Sequence, residues 1–163
     1  MKINYKKIIK ASIAGLLAGL TFMIIIPAFL VFLNISFDFV QFKNIYLFYL
    51  GIFIIIFPAI YFWYCTGLFS IFGNGTPAPI EPPEKLVIKG VYRHTRNPMY
   101  LCYFLIILGE FFVLGYILLL YYFVFIVAFI NIYLIYFEEP VLHKRFGEEY
   151  EEYIKNTPRW FIK

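Results

Sequence analysis

In a chain that is 63% hydrophobic, the polar side chains able to do chemistry fall into two short stretches. The first, GVYRHTRNPMY from Gly90 to Tyr100, gathers Tyr92, Arg93, His94, Arg96, Asn97 and Tyr100 around an Asn-Pro step. Pro98 suits the first turn of a helix and Asn97 suits its cap. Unpaired N–H groups and partial positive charge would then stand beside Arg96, a setting that favours an anionic group such as a carboxylate. The second stretch opens with adjacent acids, Glu138 and Glu139, and continues through Pro140 to Tyr150. Acids are unfavourable at a helix C-terminus, so Pro140 is expected to start a new helix there and make Glu139 an N-terminal acid. That accounts for one glutamate better than for two. Together the stretches could grip a molecule carrying a carboxylate, hydroxyls or an ammonium, and an aromatic ring.

The elements that must position these residues are apolar. Charged residues make up only 15% of the 163-residue chain, against about 25% in a soluble domain. Ala11 to Leu33 carries no charge, nor does Ile45 to Phe72, and Tyr100 to Phe137 carries only Glu110. Each of the first two runs is long enough to cross a bilayer core of about 30 Å. The third is far too long for one span and is expected to turn near Gly115. The expectation is one all-α membrane domain, 1–163, with spans at 11–33, 45–72, 100–114 and 116–137. The last two form a hairpin; a polar loop, 73–99, and an amphipathic tail, 138–163, complete it. Pro27 is expected to kink the first span.

Of the 14 basic residues, all but Lys43 lie in the N-terminal segment, the loop or the tail. By the positive-inside rule these three face the cytoplasm, in the cell membrane. Topology thus accounts for the net charge of +4, with no call for nucleic acid. Two histidines and two separated cysteines, Cys65 and Cys102, supply no metal-ligand cluster. In the loop, Leu86, Val87, Ile88, Val91 and Tyr92 offer surface to bury, so the loop is expected to fold back onto the membrane face. In the tail, Val141, Leu142, Phe146, Tyr150, Tyr153 and Ile154 fall near helical spacing, leaving Glu148, Glu149, Glu151 and Glu152 as a solvated face. Arg159 and Trp160 suit an interfacial anchor.

The two stretches resemble the isoprenylcysteine carboxyl methyltransferase family, small prokaryotic type. The resemblance rests on Gly75, Thr76, Pro77, Pro79, Pro82, Pro83, Leu86, Val87, Gly90, Tyr92 and Arg96 to Tyr100 in the loop. In the tail it rests on Glu138, Glu139, Pro140, Leu142, Phe146, Gly147, Tyr150, Tyr153, Pro158, Arg159 and Trp160. It implies S-adenosylmethionine as cofactor, held by Tyr92, Arg96, Asn97, Pro98, Tyr100, Glu138, Glu139 and Tyr150. It implies methyl transfer to a lipidic or small hydrophobic acceptor bearing a carboxylate, thiol or amine. An amine must lose a proton, for which Glu139 or His94 stands nearest, and Asn131 is a candidate polar residue aimed at the acceptor. The eukaryotic members have Arg-His-Pro where this chain has Arg96-Asn97-Pro98, and an arginine upstream of the acid pair where it has Asn131, Tyr133 and Tyr136. A prenylcysteine acceptor is therefore not carried over. An ethanolamine-headgroup phospholipid methyltransferase, an NADPH-dependent membrane reductase and a non-enzymatic membrane scaffold remain open alternatives.

Overall fold

The computed structural model describes residues 13, 17, 19–73 and 85–161. The N-terminal lysines, Lys163 and the proline-rich stretch 74–84 lie outside the described residues. The architecture is all-helical, with no strand among the described residues. Helix α1 (Ile26–Ser36) follows a π turn, Thr21–Ile25, and α2 is Ile45–Gly73. A 3₁₀ turn, Gly90–Arg93, leads to α3 (Pro98–Leu114), and α4 is Ile117–Tyr133. A second π turn, Leu134–Glu138, precedes α5 (Glu139–Phe146) and α6 (Glu148–Asn156).

Two stretches are long and apolar enough to cross a membrane: Ile45–Gly73, and the run Ile117–Phe146, which is helical throughout. Thr21–Ser36 and Pro98–Leu114 are shorter apolar helices. Large apolar side chains point outward along these helices, among them Phe57 at 59% exposed, Trp63 at 75% and Phe125 at 62%. In water such a surface would be untenable; against acyl chains it is the expected one. The helices meet through close backbone approach. A Cβ on Gly51 would lie 2.8 Å from the Gly109 carbonyl oxygen, so α2 and α3 cross where neither has a side chain.

The α3–α4 hairpin turns at Gly115, whose φ of +72° is a left-handed value that suits a residue without a Cβ. A Cβ there would also run into the Phe42 carbonyl. Residues 37–44 cap this end of the bundle. Phe42 N–H donates to Gly115 O at 2.8 Å and Gln41 Nε2 to Leu114 O at 3.1 Å, satisfying carbonyls that the end of α3 leaves unpaired. Asn34, 1% exposed, donates to Phe39 O and accepts from Leu118 N–H.

Proline placement meets the expectation and adds to it. Pro140 lies in the first turn of α5 with Glu139 as its N-terminal acid, but without a break: the backbone stays right-handed helical from Tyr133 through Glu139, and the run continues to Phe146. A helical proline lacks an N–H and crowds the carbonyl four residues back. Here the preceding turn widens, with Glu139 N–H reaching Leu134 O. Pro27 sits at the same offset after its own π turn, where Ile26 N–H reaches Thr21 O.

Candidate active site

The loop does fold back. Val87, Val91 and Tyr92 form a small core with Cys65 of α2, and Leu68 and Met99 pack against it. From there the chain passes through Thr95 and Arg96 into α3, and the segment 157–160 is strapped along it. Arg96 N–H donates to Pro158 O at 3.0 Å. The hydroxyl of Thr95, a fully buried residue, donates to Arg159 O at 2.9 Å, and Asn97 Nδ2 donates to the same oxygen at 3.3 Å. Tyr153 Oη donates to Tyr92 O at 2.6 Å and Thr157 Oγ1 to Arg93 O at 3.4 Å. Asn97 stands at the N-cap position of α3, as expected, but makes no side-chain capping bond; its amide serves the strap instead.

The strap brings Arg159 onto the acid pair. Glu139 receives Arg159 Nε on one oxygen at 2.9 Å and Arg159 Nη2 on the other at 2.8 Å, a two-pronged pair. Arg96 Nη1 donates to the first oxygen at 2.9 Å. It also lies 3.5 Å from Tyr150 Oη. Burial pushes the Glu139 carboxyl up, but the Arg159 hydrogen bond and the two guanidinium charges outweigh it, leaving it below the ordinary value. Burial, then the Glu139 charge, push Tyr150 up to about 12, so its hydroxyl stays protonated.

Glu138 is in a different state. Among the described residues it accepts a hydrogen bond from Tyr100 Oη, 2.7 Å from Oε2, and makes no ion pair with a cation. Burial, reinforced by the Glu139 charge, holds it above the ordinary carboxylate value despite the Tyr100 bond. Neighbours on an α-helix diverge by about 100°; the π turn narrows that step, letting Glu138 and Glu139 both face the loop. The Arg96 side chain is 9% exposed, and its Nε is buried without an acceptor among the described residues.

Among the residues singled out in the sequence, Arg96, Asn97, Tyr100, Glu138, Glu139 and Tyr150 come together here, with Pro98 buried at the start of α3. Tyr92, 3% exposed, sits in the adjoining core. Asn131 is hydrogen-bonded beside the strap: its Nδ2 donates to Val127 O at 2.8 Å and its Oδ1 accepts from Trp160 Nε1 at 3.1 Å. The expected anchoring role of Arg159 and Trp160 is overturned by the same contacts. Arg159 turns in to Glu139, and the Trp160 ring packs on Phe104 with centroids 5.5 Å apart.

The family model for phospholipid methyltransferase (PEMT) matches residues 40–149. This chain belongs to that family. The phospholipid methyltransferase domain is part of the wider group of membrane methyltransferases that includes the isoprenylcysteine carboxyl methyltransferases, so the protein is a methyltransferase of the membrane. The matched region runs from α2 through α5 and contains Arg96, Tyr100, Glu138 and Glu139. Tyr150, Arg159 and Trp160 fall beyond it. Comparison with curated proteins and with solved structures gives no significant match.

Proposed function

We propose that this phospholipid methyltransferase-family protein uses S-adenosylmethionine to methylate the amine of a lipid headgroup, at the face formed by the loop, the start of α3 and the strap. The observation that carries this reading is Glu138: a partly buried carboxylate with a tyrosine donor and no cationic partner among the described residues. Such a group suits a cationic ligand, either a sulfonium or an ammonium. The unpaired Nε of buried Arg96 suits an anionic acceptor such as the carboxylate of a methionyl moiety. The residues present therefore fit the cofactor at both its charges. When bound, it supplies a methyl group on a positively charged sulfur, open to in-line displacement.

The chain's own contribution is placement and proton handling. Glu139 is committed to Arg96 and Arg159 and remains ionised, so it holds the two guanidinium groups rather than taking a proton. This moves the role of proton acceptor from Glu139 to Glu138. A carboxylate with raised proton affinity accepts an ammonium proton more readily than an ordinary one. Tyr100 fixes which oxygen of Glu138 is occupied, leaving Oε1 for the headgroup nitrogen. The loop, α3 and the strap pack closely enough to exclude water from one side, which strengthens these charge contacts. The distribution of basic residues in the sequence supports a cytoplasmic position for this face, the N-terminus and the tail, in a four-span arrangement with a lipidic acceptor arriving laterally from the bilayer.

Titration of the detergent-purified protein with S-adenosylhomocysteine tests the cofactor assignment, beside Glu138→Gln and Arg96→Ala. Micromolar binding weakened in both variants is expected. Methyl transfer from labelled S-adenosylmethionine to ethanolamine-headgroup lipid should fall at least about 100-fold in Glu138→Gln. Absent binding by folded wild-type protein would remove the cofactor, and transfer to added thiols but not lipid amines would remove the acceptor.

A further inference from the structure

A second feature lies along the strap. Arg93, His94, Pro158 and Phe161 line an open depression of about 550 Å³, a size typical of small-molecule sites, which span about 300–1,000 Å³. Its two polar side chains are both exposed donors, and no acid is among its lining residues. Neither the Arg93 guanidinium nor the His94 imidazole makes a hydrogen bond or ion pair among the described residues. This contrasts with Arg96 and Arg159, both spent on Glu139. The backbone beneath is fixed: Arg93 O accepts from Thr157 Oγ1, His94 N–H donates to Val91 O at 2.9 Å, and Pro158 O holds Arg96 N–H.

We propose that this depression is a site for the phosphate of a lipid headgroup, with Arg93 and His94 as its ligands and Pro158 and Phe161 flanking the glycerol end. The proposal rests on the methyltransferase reading and names a specificity-determining part of it. A planar carboxylate is satisfied by the fork of one arginine, whereas a tetrahedral phosphate has oxygens left for a second donor approaching from another direction. Arg93, at the end of the 3₁₀ turn, and His94, which follows it, both line the one depression, which suits that second shape. Phe161, 60% exposed, offers an apolar surface beside the two donors. The strap makes this site and the acid pair parts of one assembly, since Pro158 lines the depression and Arg159 binds Glu139.

The test uses the full chain in detergent with three probes: dihexanoyl phosphatidylethanolamine, dihexanoylglycerol and inorganic phosphate. The phospholipid should bind, and bind more tightly than the headgroup-free lipid. Arg93→Gln should weaken it about tenfold or more and His94→Ala by less, with S-adenosylhomocysteine affinity unchanged in both. Both residues are exposed, so the unchanged nucleoside affinity also reports an intact fold. Unaltered phospholipid binding in Arg93→Gln would overturn the site. Loss of S-adenosylhomocysteine binding in step with lipid binding would give the depression to the cofactor instead. If inorganic phosphate binds as tightly as the lipid, the headgroup assignment falls. If wild-type protein ignores S-adenosylhomocysteine yet loses phospholipid on Arg93→Gln, the cofactor reading has failed and the phosphate site stands.

Discussion

Two adjacent glutamates in nearly the same place carry opposite electrostatic histories, and this divides their labour. Glu139 is held below its ordinary value by partners, so it contributes stability that is present above the unfolded carboxylate range of about 4.3. That contribution is lost as pH falls through the depressed folded value. Glu138 is held above its ordinary value by burial, so its ionised form costs stability, and the cost disappears as pH falls through the raised folded value. Thermal unfolding in detergent should therefore show a Tm that holds or rises on mild acidification before it drops. Glu138→Gln should abolish the rise and leave the neutral-pH Tm equal or higher, while activity is lost. Glu139→Gln should lower stability by about 2–4 kcal/mol, because it leaves Arg96 and Arg159 facing each other without a carboxylate. A destabilised Glu138→Gln protein would show that Glu138 is structural. The sequence made these residues conspicuous because an oily chain has few others. It did not disclose their pairing: Arg159 and Trp160 near the chain end match an interfacial anchor equally well, and only the strap's backbone bonds turn them inward.

Among the elements, the π turn before Pro140 decides where the acid pair points. Pro140 cannot supply the N–H that would bond the carbonyl of Tyr136, and its ring excludes the normal turn. The wide turn Leu134–Glu138 is the result. π-bulges of this kind are frequent at functional sites. In Pro140→Ala the missing N–H returns and the helix can tighten to its α form, rotating everything after residue 138. The expected outcome is a Tm that does not fall, together with weakened S-adenosylhomocysteine binding and methyl transfer. Retained binding would mean that the Arg96 and Arg159 contacts, rather than the proline, impose the turn. A proline at the end of an apolar run reads as a boundary, and this is why the sequence suggested a new helix at Glu139. The Gly115 turn was legible for the converse reason, a glycine midway in a run too long for one helix. The π turn was not, because a widened turn leaves no mark in composition or period.

For the whole molecule, the consequence is polarity of the two ends. The far end is closed by Asn34, Gln41 and the Gly115 turn, whose hydrogen bonds are all internal. The other end carries the described part of the loop, the acid pair, the strap and, among the described residues, every lysine and arginine but Lys43. The proposed orientation rests on this asymmetry, and the chain offers a direct way to test it. Its two native thiols, Cys65 and Cys102, are both buried, so an impermeant thiol reagent should leave the unaltered protein unlabelled. Lys43→Cys and Lys155→Cys then place one reporter at each end, both exposed and neither engaged in the site. In intact cells Lys43→Cys should react from outside while Lys155→Cys reacts only after the membrane is opened. The reverse pattern would put the donor and acceptor sites outside the cell, away from a cytoplasmic supply of nucleotide-derived cofactor. It would therefore count against the methyltransferase mechanism as well as the topology. Labelling of both from one side would leave an odd number of crossings between residues 43 and 155 untenable, and with it the arrangement of α2, α3 and α4 across the bilayer.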